Sequence, residues 1–178
     1  MKRWLIVGFL SGAAAVLFFH QGAAALLHAA GFTPRAPYSF AATQPWGVPL
    51  VWSLAFWGGV WGVVLAAAVR GLDRFAVVGA SLLFGAILPT LVAWFVVAPL
   101  KGQPMAAGFV PAAMMIGPIV NAAWGLGTGL GLAWFGHGAE RLSGRGERRH
   151  GATDRRGPRE PVVGERRHAI ADRRLAAG

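Results

Sequence analysis

Four long stretches of the chain contain no Asp, Glu, Lys or Arg: residues 4–34, 47–69, 75–100 and 102–139. A hydrocarbon core about 30 Å thick takes roughly 20 apolar residues of helix to cross. Each stretch is long enough. The pattern predicts helices over about residues 4–28, 49–69, 75–98 and 111–135. The expected fold is all-α: an integral membrane bundle of four transmembrane helices over residues 1–138, followed by a disordered or partly helical basic tail over residues 139–178.

Breakers set the boundaries. Gly31 suits the left-handed residue that closes a helix. Pro34, Pro37 and Pro45 forbid regular helix in the first loop, where Tyr38 and Trp46 suit a headgroup zone. Pro49 fits a first helical turn. The turn Arg70-Gly71-Leu72-Asp73-Arg74 is so short that the second and third helices are expected side by side and antiparallel. Pro89 falls inside the third helix and is expected to kink it. Lys2 and Arg3 ahead of Leu5–Phe19, with Ala23-Ala24-Ala25 behind, also fit a secretory signal. The apolar run continues through Leu26 and Leu27, which favours an uncleaved first helix.

Charge divides the chain in two. Residues 1–139 hold seven charged side chains, whereas residues 140–178 hold eleven Arg and six acids. Lys and Arg favour the cytoplasmic side of short loops. The N-terminus and the Arg70–Arg74 turn carry two each, and the tail carries eleven, against one each in the other loops (Arg35 and Lys101). Both termini are therefore expected in the cytoplasm. The chain has no cysteine, which removes disulfides and thiolate chemistry.

Small residues four apart recur in every span: Gly8 with Gly12, Gly58 with Gly62, Ser81 with Gly85, and Gly125 with Gly129 interleaved with Gly127 and Gly131. Such strips let helix backbones approach closely in lipid, where the hydrophobic effect gives no drive. They serve packing within the bundle or contact between copies, and they make the fourth helix the expected centre. Residues 57–66 (WGGVWGVVLA) and 124–133 (WGLGTGLGLA) agree at five of ten positions, which fits a parallel repeat of a two-helix hairpin.

Polar residues inside spans are few. His20, Gln21, Thr90 and Asn121 are the candidates for a ligand or proton path, since polar groups at depth are costly and often functional. The competing reading is that they are interhelical hydrogen-bond partners. The spans contain no carboxylate, which counts against a cation-coupled transporter. No metal site is expected, because His20 and His28 lack further ligands, and no cofactor is expected. No G-x-S-x-G elbow occurs, and nothing in the sequence points to an enzyme.

The tail repeats itself: residues 146–156 (GERRHGATDRR) and 164–174 (GERRHAIADRR) agree at eight of eleven positions. Arg148, Arg149, Arg155, Arg156, Arg166, Arg167, Arg173 and Arg174 are the expected contacts to anionic lipid headgroups or to a protein partner. The tail has no aromatic residue to stack on bases, so nucleic acid is not an expected partner.

The runs Phe19-His20-Gln21-Gly22, Phe56 to Gly62, Ala98-Pro99-Leu100-Lys101-Gly102 and Asn121-Ala122-Ala123-Trp124-Gly125 resemble stretches of small uncharacterised bacterial four-helix inner-membrane proteins. The resemblance covers about residues 1–135. It implies a bacterial inner-membrane setting and adds no activity. The resulting expectation is a non-enzymatic accessory or assembly protein, in a homo-oligomer or membrane complex. The alternative is a small oligomeric transporter or channel for a small solute or ion.

Overall fold

The computed structural model describes residues 2–136. The tail and its eight candidate Arg residues lie outside the described residues. Four helices are long and apolar enough to cross a membrane: α1 (Lys2–Ala29), α2 (Leu50–Ala68), α3 (Arg74–Leu100) and α4 (Pro111–Gly136). The expected spans and the observed helices agree to within two residues at every end.

Local chemistry explains the ends. At the close of α1, the Phe32 amide donates to the Leu27 carbonyl and the Gly31 amide to that of His28. Gly31 has φ +76°. This paired closure needs a left-handed residue, which glycine supplies without strain. The close of α3 repeats it, with Gln103 donating to Ala98 and Gly102 to Pro99. Asp73 caps α3 by accepting from the Phe75 and Ala76 amides at 2.9 and 3.0 Å. That satisfies two of the four amides a helix start leaves open.

The first loop is not purely irregular. Ala42–Thr43 (β1) and Val48–Pro49 (β2) form a short antiparallel ribbon, with Ala42 opposite Pro49 and Thr43 opposite Val48. The same segment completes the start of α2. The Leu50 and Val51 amides donate to the Ala41 and Ser39 carbonyls. Backbone thus does what a side-chain cap does elsewhere, because Pro49 precedes the helix and has no side-chain acceptor.

Packing places α4 centrally. α1 lies against α2, α3 lies against α4, and α1 lies against α4. α2 and α3 are antiparallel neighbours in sequence, but their backbones stay apart along most of their length. They are neighbours through side chains, as the short turn leads one to expect, but without close backbone packing. Large side chains separate them: the Trp61 and Phe84 rings meet edge to face with centroids 5.9 Å apart. The core includes Leu65, Ala66, Val77, Trp124 and Leu132, all nearly inaccessible. Outward faces are apolar on all four helices, with Leu26, Phe18, Phe75 and Trp134 strongly exposed.

The helices are not uniform. Wider π-type turns occur at Val16–His20 in α1, Ala93–Val97 in α3 and Leu132–Gly136 in α4. α3 continues through Pro89 and widens just beyond it.

Candidate functional site

The small-residue strips meet each other in two matching crossings. A methyl group built on Gly12 would strike the Gly58 carbonyl and lie 3.0 Å from the Gly62 Cα. One built on Gly8 would lie 2.6 Å from the Gly62 carbonyl oxygen. Between α3 and α4, a methyl on Gly85 would strike the Asn121 carbonyl and lie 2.9 Å from the Gly125 Cα. One on Gly129 would lie 2.7 Å from the Ser81 Cβ. Side-chain bulk is excluded because backbone faces backbone. The interleaved pair in α4 serves the third contact. Gly127 faces Ala15 and Phe19 of α1, and Gly131 faces Ser11.

These contacts shift the internal repeat by one turn from the sequence match. With Gly8 and Gly12 equivalent to Ser81 and Gly85, Gly62 stands where Gly125 stands and Gly58 where Asn121 stands. The sequence match pairs Gly58 with Gly125. Trp-Gly occurs twice in α2, at 57–58 and 61–62. A slip of four residues keeps the same helix face, so composition alone does not distinguish the two registers.

Three of the four polar candidates form hydrogen bonds, in two separate pairs: Asn121 with Thr90, and Gln21 with Tyr38 of the first loop. Asn121 Nδ2 donates to Thr90 Oγ1 at 2.9 Å, tying α4 to α3. Gln21 Oε1 accepts from the Tyr38 amide at 2.7 Å, and the Tyr38 hydroxyl donates to the Leu17 carbonyl at 2.8 Å. Tyr38 reaches this position with φ +51°. The first loop therefore folds back onto the wide turn of α1. Gln21 and Thr90 are both almost fully buried. His20 closes that wide turn, and its Nδ1 is buried without a hydrogen-bond partner. Among the described residues, no hydrogen bond joins the Gln21 pair to the Thr90 pair. Each pair ties two segments together, α4 to α3 and the first loop to α1.

Two indoles that sequence reasoning passed over tie the helices together, Trp4 at the end of the first hairpin and Trp124 deeper between α4 and α1. Trp4 Nε1 donates to the Ala66 carbonyl at 2.6 Å. Ala66 is among the last four residues of α2, whose carbonyls have no amide within the helix. Trp124 Nε1 donates to the Gly12 carbonyl at 2.9 Å, beside Gly58. The glycine strip is what allows a Trp on α4 to reach a backbone oxygen of α1. The signal in the sequence was a Trp one residue before a strip glycine, as in Trp124-Gly125.

The loop between α3 and α4 contains a left-handed turn. Ala106, Ala107, Gly108 and Phe109 all have positive φ, between 46° and 69°. Three of them bear a Cβ, which costs roughly 1–2 kcal/mol per residue in this region. Ala106 is fully buried.

Among the described residues, no group of three or more His, Cys, Asp or Glu is placed to hold a metal ion. A scan against protein-family models, a search of curated proteins and a search of solved structures find no match to this chain.

Proposed function

We propose that the chain is a bacterial inner-membrane protein with both termini and the Arg70–Arg74 turn in the cytoplasm. It acts without catalysis, as an accessory or assembly subunit working through contacts. Support for the membrane setting comes from the outward faces of all four helices, which are apolar along their length. Soluble monomers rarely expose apolar patches beyond a few hundred Å². Support for action through contacts comes chiefly from one observation: the helices cross backbone to backbone at glycine, and the buried Thr90 and Gln21 side chains are spent on hydrogen bonds to Asn121 and to the Tyr38 amide. The basic tail adds attraction to anionic headgroups, up to about 1 kcal/mol per basic residue near the surface.

A second reading, a small oligomeric transporter or channel, is favoured by the buried, unpartnered His20 Nδ1 in a wide helical turn. Such turns are frequent at functional sites. Purification of the full chain in mild detergent separates the two. The contact reading expects a partner protein in fixed stoichiometry. It fails if the chain purifies as a homo-oligomer that passes solute in liposomes, with flux lost in His20→Leu or Asn121→Leu.

A further inference from the structure

α1 and α4 cross at Ser11, Ala15, Gly127 and Gly131, and a groove of about 660 Å³ opens along the outside of that crossing. Volumes of roughly 300–1,000 Å³ are typical of small-molecule sites. Its lining is almost wholly carbon: Val7, Leu10 and Ala14 on one wall, Leu130 and Trp134 on the other. Wide helical turns mark both ends. Phe18 and Phe19 belong to the turn Val16–His20, and Trp134 and Phe135 to the turn Leu132–Gly136.

Three observations identify an occupant. The first is length. From Val7 to Phe18 the groove follows α1 for about 16 Å at about 1.5 Å per residue. One leaflet of hydrocarbon is about 15 Å deep, half of the roughly 30 Å core. The second is width. A volume of about 660 Å³ over about 16 Å leaves a mean section of about 40 Å². A flexible chain fits within that section along its whole length, whereas a helix lies outside it and inserts only its side chains. The third is charge. Residues 3, 7, 11, 14 and 18 follow one face of a helix with 3.6 residues per turn. Arg3 therefore continues the groove wall one turn beyond Val7, and it is exposed.

We infer that the groove between α1 and α4 binds one acyl chain of an anionic phospholipid, with Arg3 at its mouth contacting the phosphate. In hydrocarbon, an apolar groove does not stay empty, because unfilled space forfeits dispersion contacts. The aromatic ends confine one chain, and Arg3 selects the headgroup. The inference rests on the membrane setting proposed above and not on any protein partner. A chain that stays in the membrane fraction yet holds no lipid here loses this inference alone. A chain recovered in the soluble fraction loses the setting itself.

The test is native mass spectrometry of the full chain in mild detergent, titrated with phosphatidylglycerol or phosphatidylcholine. The expected result is selective retention of phosphatidylglycerol. Ala14→Trp fills the exposed wall without entering the α1–α4 crossing and lowers retention at least tenfold. Arg3→Gln weakens it about fivefold, the effect of roughly one basic residue at a lipid surface, and lowers the preference over phosphatidylcholine by the same factor. Leu83→Trp, equally bulky on the exposed face of α3, leaves retention unchanged. The tail is present in every variant, so its own attraction for lipid cancels. Equal retention of the two lipids overturns the inference, as does retention unaffected by Ala14→Trp and Arg3→Gln. A dimer that Ala14→Trp converts to monomer also overturns it, since a second copy then fills the groove. If Ala14→Trp fails to fold, Arg3→Gln at the exposed helix end decides alone.

Discussion

The two hairpins, α1–α2 and α3–α4, are built to one plan and tied differently. Each long first helix contains a wide turn and closes on a glycine, Gly31 or Gly102. Each crosses its partner where small residues put backbone against backbone. The ties differ. In the first hairpin, indole N–H groups reach backbone carbonyls, from Trp4 within the hairpin and from Trp124 across to Gly12. In the second, two side chains, Asn121 and Thr90, satisfy each other, while the buried Ser81 hydroxyl has no hydrogen-bond partner. Asn121 occupies the place that Gly58 holds in the first hairpin. The glycine crossing is the common frame, and the polar tie is fitted to whatever the frame leaves within reach.

If the frame is common, breaking it hurts both hairpins alike. Gly62→Leu and Gly125→Leu each place a side chain against a facing backbone that has no rotamer to move. Each is expected to lower stability by about 3 kcal/mol or more, at or above the upper end of overpacking costs. Thermal unfolding in detergent measures this, and a large effect in one hairpin only would break the comparison. Trp124→Phe keeps most of the ring and removes the donor to Gly12. The expected loss is about 1–2 kcal/mol, one buried hydrogen bond together with the packing of the lost indole ring atoms, and it should appear as weaker contact between the hairpins.

Asn121→Leu removes the tie of the second hairpin. Hydrogen bonds between membrane helices average about 0.6 kcal/mol and reach about 1.7, so the loss should be smaller than for Trp124→Phe. A larger loss than that of Trp124→Phe would reverse the ranking of the two ties. Smallest is a gain. Ala107→Gly relieves a left-handed residue that costs about 1–2 kcal/mol, offset by about 0.5–1 kcal/mol of glycine entropy. A rise in stability of about 0.5 kcal/mol is expected, and a fall would mean that the exposed Ala107 methyl makes a contact worth more than the strain.

Much of this frame was legible in the sequence because it depends on long uniform signals. Span positions follow from twenty-residue runs without charge, and the crossings from small residues repeating every four. The register of the repeat was not legible, because Trp-Gly recurs one turn apart in α2 and both registers present the same face. The wide turns at residues 16–20 and 93–97 leave no compositional mark. Neither does the left-handed run Ala106–Phe109, where alanine carries no conformational signal. Gln21 and Thr90 are buried and His20 and Asn121 half-buried, which their place inside long apolar runs makes legible. The separation of Gln21 from the Thr90–Asn121 pair depends on Tyr38, a loop residue whose reach back to Gln21 and Leu17 is a tertiary fact. The separation of α2 from α3 depended on the girth of Trp61 and Phe84, which turn length does not report.

Two glycine-crossed hairpins join through α1 and α4 within a single chain. Because the chain has no cysteine, engineered pairs test this arrangement directly in isolated membranes under mild oxidation. Ser81→Cys with Gly129→Cys probes the second crossing, where the built Cβ lies 2.7 Å from its partner's. Ala15→Cys with Gly127→Cys probes the joint between hairpins, where the corresponding distance is 3.0 Å. Both distances come within a small shift of disulfide geometry. The account predicts that each pair closes within one chain, read by mass spectrometry of the linked peptides from monomeric protein. Links that form only between two chains, or none at the α1–α4 joint, would contradict it.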